Sequence, residues 1–328
     1  MHMRTHELQL DQSALRKHAL PICILILAWL LFFWRIITPV TADRLTFQQG
    51  DFTLQFLAYR QMAYRQVANG HFPAFEECIY SGYPFQADPQ SQVLYPPLVA
   101  SMLLGKALGW TTYPLQALEW EVLLHILLAL LAMYAFLREI RIHPLAAVFV
   151  AMVFGFSGYL TGYAIPQTAI LETVAWLPLV LLFLHRLAAY PASIPFSKWI
   201  LDAVLLTFVI CCSFTAGHPQ TLIFIVYTSI AAYVFWSARN RQRPMLMLIR
   251  GGFVTIAVLM LSAAQLIPSL SFMLASTSAS LSYMDASTGF AVQDIVLFVI
   301  TGITNVWQPL YVGMPALVIA VGSLMVRK

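Results

Sequence analysis

The chain has 328 residues, 60% of them hydrophobic and only 10% charged, with a net charge of +4 and a mean hydropathy of +0.77. That balance excludes a monomeric water-soluble domain and a disordered chain, and it indicates a polytopic membrane protein. The basic surplus is a topology signal, so no nucleic-acid partner is expected from it.

Apolar runs of about 17–25 residues can cross a hydrocarbon core roughly 30 Å thick. Eight such runs occur, near 19–38, 118–137, 144–163, 171–188, 199–216, 219–236, 247–273 and 309–326. The first follows Arg16 and Lys17 and precedes Val40-Thr41-Ala42, as a cleavable signal would, but its length favours an uncleaved signal anchor. With the amino end in the cytoplasm, the alternation places Arg4, Arg16, Lys17, Arg138, Arg141, Arg186, Lys198, Arg239, Arg241, Arg243, Arg250, Arg327 and Lys328 inside. Only Arg44, Arg60, Arg65 and Lys106 fall outside, and Arg35 ends the first span. This obeys the positive-inside rule and predicts a multi-pass protein with both termini cytoplasmic. The acids go the other way: Asp43, Asp51, Glu76, Glu77, Asp88, Glu119, Glu121, Glu172, Asp285 and Asp294 all fall outside. The expected fold is all-α, a single membrane bundle over 1–328 with a first extracytoplasmic loop at 39–117 and a second at 275–308.

The first loop is long enough to fold. From Asp51 to about Ala68, Phe52, Phe56, Tyr59, Ala63 and Val67 recur at helical spacing while Asp51, Gln55, Arg65 and Gln66 lie elsewhere on the wheel. That pattern predicts an amphipathic helix lying flat in the interface. Gly70 and Pro73 end it, and the glycine and prolines over 74–97 forbid long regular elements. The apolar pieces 94–109 and 291–303 are too short to span and carry the expectation of interfacial or re-entrant helices. Cys23, Cys211 and Cys212 fall within spans, which leaves Cys78 alone in the loop without an obvious disulfide partner.

Ionisable groups within the spans are few: Arg35, His125 and, near the ends, Glu172 and Asp202. Ion-coupled transporters usually carry more near the midplane. The first loop is far denser, with Asp51, Gln55, Arg60 and Arg65 on or beside one helix and Glu76, Glu77, Asp88 and Gln90 following. A surface carboxylate can act as general base toward an acceptor hydroxyl, and an arginine or a carboxylate-held divalent cation can stabilise a departing phosphate. Glu119 and Glu121, two residues apart, cannot share a helix face and so do not form one dyad. Trp110, Trp120, Trp176 and Trp307 fit an interfacial aromatic belt. His125 reads as a core histidine, and His218 as either a helix cap or a phosphate contact.

Several motifs recur in order: Gly50-Asp51-Phe52, Gln55, Asn69-Gly70-His71-Phe72-Pro73, Gly82-Tyr83-Pro84, Asp88-Pro89-Gln90-Ser91-Gln92 and Leu94-Tyr95-Pro96-Pro97. Further on come Gly217-His218-Pro219-Gln220 and Tyr311-Val312-Gly313. Together they resemble the pattern of YfhO-type bacterial membrane proteins of the GT-C glycosyltransferase superfamily. The resemblance implies a GT-C-like helical bundle in a bacterial inner membrane, with juxtamembrane helices in the first loop. It further implies transfer of a sugar from a polyprenyl-phosphate donor to an extracytoplasmic glycan, polymer or lipid. Asp51 would be the catalytic acid-bearing position, with Asp43, Glu76, Glu77 and Asp88 as secondary or metal-linked carboxylates. Gln55, Arg60, Arg65, Gln90, Tyr95, His218 and Gln220 would contact the donor phosphate or substrate. The alternatives are a lipid or polysaccharide transporter and a catalytically idle assembly subunit.

Overall fold

The computed structural model describes residues 18–277, 292–300 and 310–325. Arg4, Arg16, Lys17, Asp285, Trp307, Arg327 and Lys328, with most of the second loop, lie outside the described residues. Among those described, every regular element is helical, and six helices are long and apolar enough to cross a membrane: Leu115–Glu139, Pro144–Tyr163, Thr168–Ala189, Phe196–Thr215, Pro219–Arg239 and Pro244–Ala275. The chain is a multi-pass membrane protein. The first and last of the eight expected spans form shorter helices: α1 (His18–Phe32), a turn at Phe33 and then α2 (Trp34–Ile37) at one end, and α12 (Met314–Met325) at the other. At about 1.5 Å of rise per residue, none of these alone covers a bilayer core.

Proline sets several helix starts. α4 (Pro96–Ala107), α6 (Pro144–Gly155), α10 (Pro219–Arg239) and α11 (Pro244–Ala275) each open on one, where the missing N–H would have had no partner. Proline also divides the fourth expected span into α7 (Thr168–Val174) and α8 (Leu177–Ala189), because Pro178 has no N–H to offer the carbonyl four residues back. α5 (Leu115–Glu139) is the central helix and buries Leu118, Val122, Ile126, Ala129 and Leu130 against α6, α7 and α8. A second apolar cluster joins α8, α9 (Phe196–Thr215) and α11 through Val180, Leu187, Ala203, Leu206 and Val254.

The first loop is packed onto one end of this bundle. Its helix forms where expected, as a π turn (Phe52–Leu57) running into α3 (Ala58–Ala68). It is nevertheless not a helix that merely floats on the interface. Phe52, Phe56 and Ala63 are buried as their spacing implies, but so are Arg60 and Tyr64, because carboxylates inside the bundle receive the arginine. The 94–109 piece folds as α4, and Val292–Phe298 forms a 3₁₀ helix. Pro268 removes a hydrogen bond from within α11 and so frees the Ala264 carbonyl four residues earlier. That carbonyl accepts from Gln86 Nε2 at 3.0 Å, while Gln265 Nε2 donates to Gln86 O at 2.7 Å. Gln92 Nε2 in turn donates to Ala216 O at the α9–α10 junction. There Gly217 lies in the left-handed region at φ +89°, with Pro89 O so close that no Cβ fits between them.

Charge is segregated by this arrangement. Arg44, Arg60, Arg65 and Lys106 gather at the loop end with Asp43, Asp51, Glu76, Glu77, Asp88, Glu119, Glu121 and Glu172, whereas Arg138, Arg141, Arg186, Lys198, Arg239, Arg241, Arg243 and Arg250 gather at the other, with Glu139 and Asp202 among them.

Candidate functional site at the loop end of the bundle

Two layers of polar residues stack at the loop end. The outer one begins with Asp51, which is exposed and caps the first π turn without using its side chain for the cap. Its carboxylate accepts from Gln167 Nε2, and no cation pairs with it among the described residues. Gln167 follows a second π turn (Tyr159–Tyr163) and precedes α7. π turns make up well under 1% of residues and concentrate at functional sites, so two of them flanking one carboxylate–amide contact single out this mouth.

Beside it, Gln55 Nε2 donates to Gln90 Oε1 and ties the π turn to the loop. Asp88 is a hub: its Oδ2 accepts from Tyr59 OH at 3.1 Å and Tyr83 OH at 2.9 Å, and its Oδ1 caps the turn at Gln90 N, 2.8 Å away. Burial, reinforced by Asp88, pushes the Tyr59 phenol up to about 12 and the Tyr83 phenol higher still, so both remain hydrogen-bond donors at neutral pH. His218 caps α10, its Nδ1 accepting from Thr221 N at 3.2 Å and lying 2.7 Å from Thr221 Oγ1. Burial holds that imidazole below its ordinary pKa, which keeps the nitrogen available as a cap. Thr221 also lies beside Tyr159 of the second π turn, which brings the His218 cap to the same mouth.

The inner layer is an ion network hidden from solvent. Arg60, 0% exposed, donates from Nε to Glu121 Oε2 at 3.0 Å and from Nη2 to Glu172 at 3.5 Å. Burial works against the guanidinium charge, but Glu121 and then Glu172 outweigh it and hold its pKa above the ordinary value. Tyr113 OH donates to Glu121, Ser101 Oγ lies 2.6 Å from the same phenol, and Gln92 Nε2 donates to Glu172. His125 Nδ1 faces Glu121 O at 2.6 Å, so it carries the proton, and Nε2 meets the Tyr95 hydroxyl, which also accepts from Trp176 Nε1 at 2.9 Å. With both carboxylates ionised the three charges sum to −1, and Arg60 Nη1 and Gln92 Oε1 are buried without partners among the described residues. Against this network lies a half-open cavity of about 690 Å³ between α4 and α5, walled by Pro97, Leu104, Trp110, Trp120 and Leu124 and reaching Glu121 and His125.

These contacts reassign several residues. Arg60, expected at a donor phosphate, is enclosed and committed to Glu121 and Glu172. Arg65 pairs with both oxygens of Glu76 at 2.8 and 2.9 Å, away from Asp51. Burial would raise Glu76, but the Cys78 amide and Arg65 win and hold it below the usual carboxylate range. Tyr95 is wholly buried. Asp43, Glu77 and Gln220 are exposed, and none of them is brought to the Asp51–Gln167 contact. Trp176 serves the interior rather than a surface belt. Glu119 and Glu121 do diverge, to Arg44 at 3.0 Å and to Arg60. Among the described residues no three of His, Cys, Asp or Glu converge as a metal site. A divalent cation here would need phosphate oxygens to complete its shell, as Mg²⁺ commonly does.

Gln167, Glu121 and Glu172 are the functional candidates that sequence reasoning did not select. Pairing Arg60 with carboxylates 61 and 112 residues away leaves no local signal. Comparison with family models, with curated proteins and with solved structures finds no match to this chain.

Proposed function

We propose that the chain is a membrane-embedded glycosyltransferase of GT-C type, moving a sugar from a polyprenyl-phosphate donor to a glycan, polymer or lipid on the extracytoplasmic face of a bacterial inner membrane. The observation that carries this reading is Asp51: an exposed carboxylate without a counter-ion among the described residues, held by Gln167 between two π turns at the loop end of the bundle. In that role Asp51 accepts the proton of the acceptor hydroxyl as its oxygen bonds to the sugar's anomeric carbon and the polyprenyl phosphate departs with the bonding pair. Gln167 fixes the carboxylate's orientation. The basic cluster opposite the loop supports an orientation with the loop outside and the termini in the cytoplasm.

Full-length protein in vesicles supplied with a polyprenyl-phosphate sugar tests this. Asp51→Asn removes the basic oxygen at constant size, and loss of general-base action lowers transfer by about 10²–10⁴-fold, while Asp43→Asn leaves it near wild type. Near-normal turnover of Asp51→Asn would refute the assignment.

A transporter is the second reading, favoured by one observation. The Arg60–Glu121–Glu172 network is a buried cluster of ionisable groups joining the loop to α5 and α7, the kind of buried charge set that proton- or ion-coupled carriers use. Movement of lipid-linked substrate across vesicles, with transfer absent in the wild type, would select it.

A further inference from the structure

The opposite end of the bundle holds a second site. A half-open cavity of about 540 Å³ lies between α1 and the α5–α8 pair. Its walls change character along the bundle axis: Ile22, Leu131 and Ala135 line the part toward the middle of the helices, and His18, Arg138 and Arg186 the part at the end. The two arginines differ. Arg186 is already neutralised, with Nη2 2.8 Å from Glu139 and Nη1 3.8 Å from Asp202. Arg138 has no carboxylate partner among the described residues; its Nη1 donates to the Ile142 carbonyl, and its Nε is buried with nothing to donate to. His18 presents its ring with Nδ1 2.8 Å from Tyr134 OH.

From this geometry we infer that the cavity is a binding site for one anionic phospholipid of the leaflet opposite the loop, its phosphodiester on Arg138 and its glycerol and first methylenes on Ile22, Leu131 and Ala135. A guanidinium with no carboxylate partner among the described residues matches a phosphate oxygen in charge and hydrogen bonding. The polar-to-apolar gradient runs in the direction a lipid lies in its leaflet, and basic pockets between membrane helices are seats for acidic headgroups. The same gradient selects a lipid over free phosphate, which would leave the apolar half uncovered. Glu139 does not oppose the ligand, because its carboxylate is taken up by Arg186.

Native mass spectrometry of the full chain in neutral detergent, titrated with phosphatidylglycerol or with phosphatidylcholine, tests the assignment. One phosphatidylglycerol is expected to bind in preference to phosphatidylcholine and to raise the thermal transition. Arg138→Gln should weaken it by about tenfold or more, the equivalent of one charge-assisted hydrogen bond. Arg138→Lys, which keeps the charge, should retain much of the affinity and shows that the position tolerates substitution. Arg241→Gln makes the same charge change on an exposed turn at the same end and should leave binding unaltered. Equal binding of the two lipids, or equal losses in Arg138→Gln and Arg241→Gln, would overturn the site. Protection by millimolar inorganic phosphate matching that by phosphatidylglycerol would overturn the lipid assignment in favour of a free-phosphate pocket.

Discussion

Removing Arg60 is the sharpest perturbation of the loop-end architecture. Arg60→Met keeps an unbranched side chain and deletes the charge. The variant loses the 3.0 Å bond to Glu121 and the longer 3.5 Å bonds to Glu172, and the residue is fully enclosed, so water does not replace them. Charge-assisted hydrogen bonds contribute about 1.5–3 kcal/mol each, and most of that weight falls on Glu121, since 3.5 Å is the outer limit for the Glu172 contact. The two carboxylates are then enclosed with no cation beside them. Breaking a buried ion pair from one side costs about 3–5 kcal/mol, and that is the expected loss, measured as resistance to denaturant or heat in detergent micelles. Rescue is the decisive comparison. Arg60→Met combined with Glu172→Gln and Glu121→Gln leaves no ionisable group in the cluster, so stability should recover, with the triple variant within about 2 kcal/mol of wild type. If Arg60→Met costs under about 1 kcal/mol, or if Glu172→Gln adds its own loss to that of Arg60→Met, the network is not the electrostatic clamp described.

Gly217→Ala should lower stability by about 2 kcal/mol or more, since a side chain at φ +89° is strained and its Cβ would overlap Pro89 O and crowd Gln92 Cγ at 3.0 Å; an unshifted thermal transition would contradict that close approach. The Arg65–Glu76 pair predicts a pH effect of known sign. Glu76 is depressed in the folded protein, so its contribution is complete above its ordinary value of 4.5 and is lost as pH falls from there through the folded value. The step should be small because Arg65 is well exposed, and it should vanish in Glu76→Gln when thermal transitions are compared between pH 7 and pH 4. Cys78 is exposed in the loop, so in intact cells a membrane-impermeant maleimide should label it from outside. On a Cys78→Ser background Arg241→Cys should stay unlabelled until the membrane is opened, and the reverse pattern would invert the proposed orientation.

Length and apolarity alone made six of the eight expected spans legible, because a bilayer demands the same run of residues from any sequence; the first and last form shorter helices among the described residues. The loop helix was legible too, from the spacing of Phe52, Phe56 and Ala63, all of them buried. Its docking was not. On the helical wheel Arg60 falls beside Val67 at the edge of the apolar face, where its charge argues for solvent, and only the three-dimensional arrival of Glu121 and Glu172 makes an inward guanidinium favourable. The break between α7 and α8 followed from Pro178, yet Pro268 left α11 continuous and gave its freed carbonyl to Gln86, so an identical residue divided one span and merely docked a loop onto another. Asp51 was selected by motif and does occupy an exposed position at the mouth, whereas its partner Gln167, 116 residues away, carried no mark in the sequence.

The first π turn constrains how this loop can vary. A π turn is an α-helix with one residue too many, and here the surplus residue sits between Asp51 and Arg60, two side chains that must reach opposite surroundings. Deleting one residue within Phe52–Leu57 would let the turn close to α geometry while leaving its flanks nearly in phase, because the π turn spreads one residue more over about the same rotation. Asp51 would keep its approach to Gln167 and Arg60 its approach to Glu121. The segment therefore acts as a phase buffer, and a single-residue deletion there, for example of Leu54, whose side chain is 79% exposed, should be tolerated better than one in α3, where a lost residue turns the flanks against each other by roughly 100°.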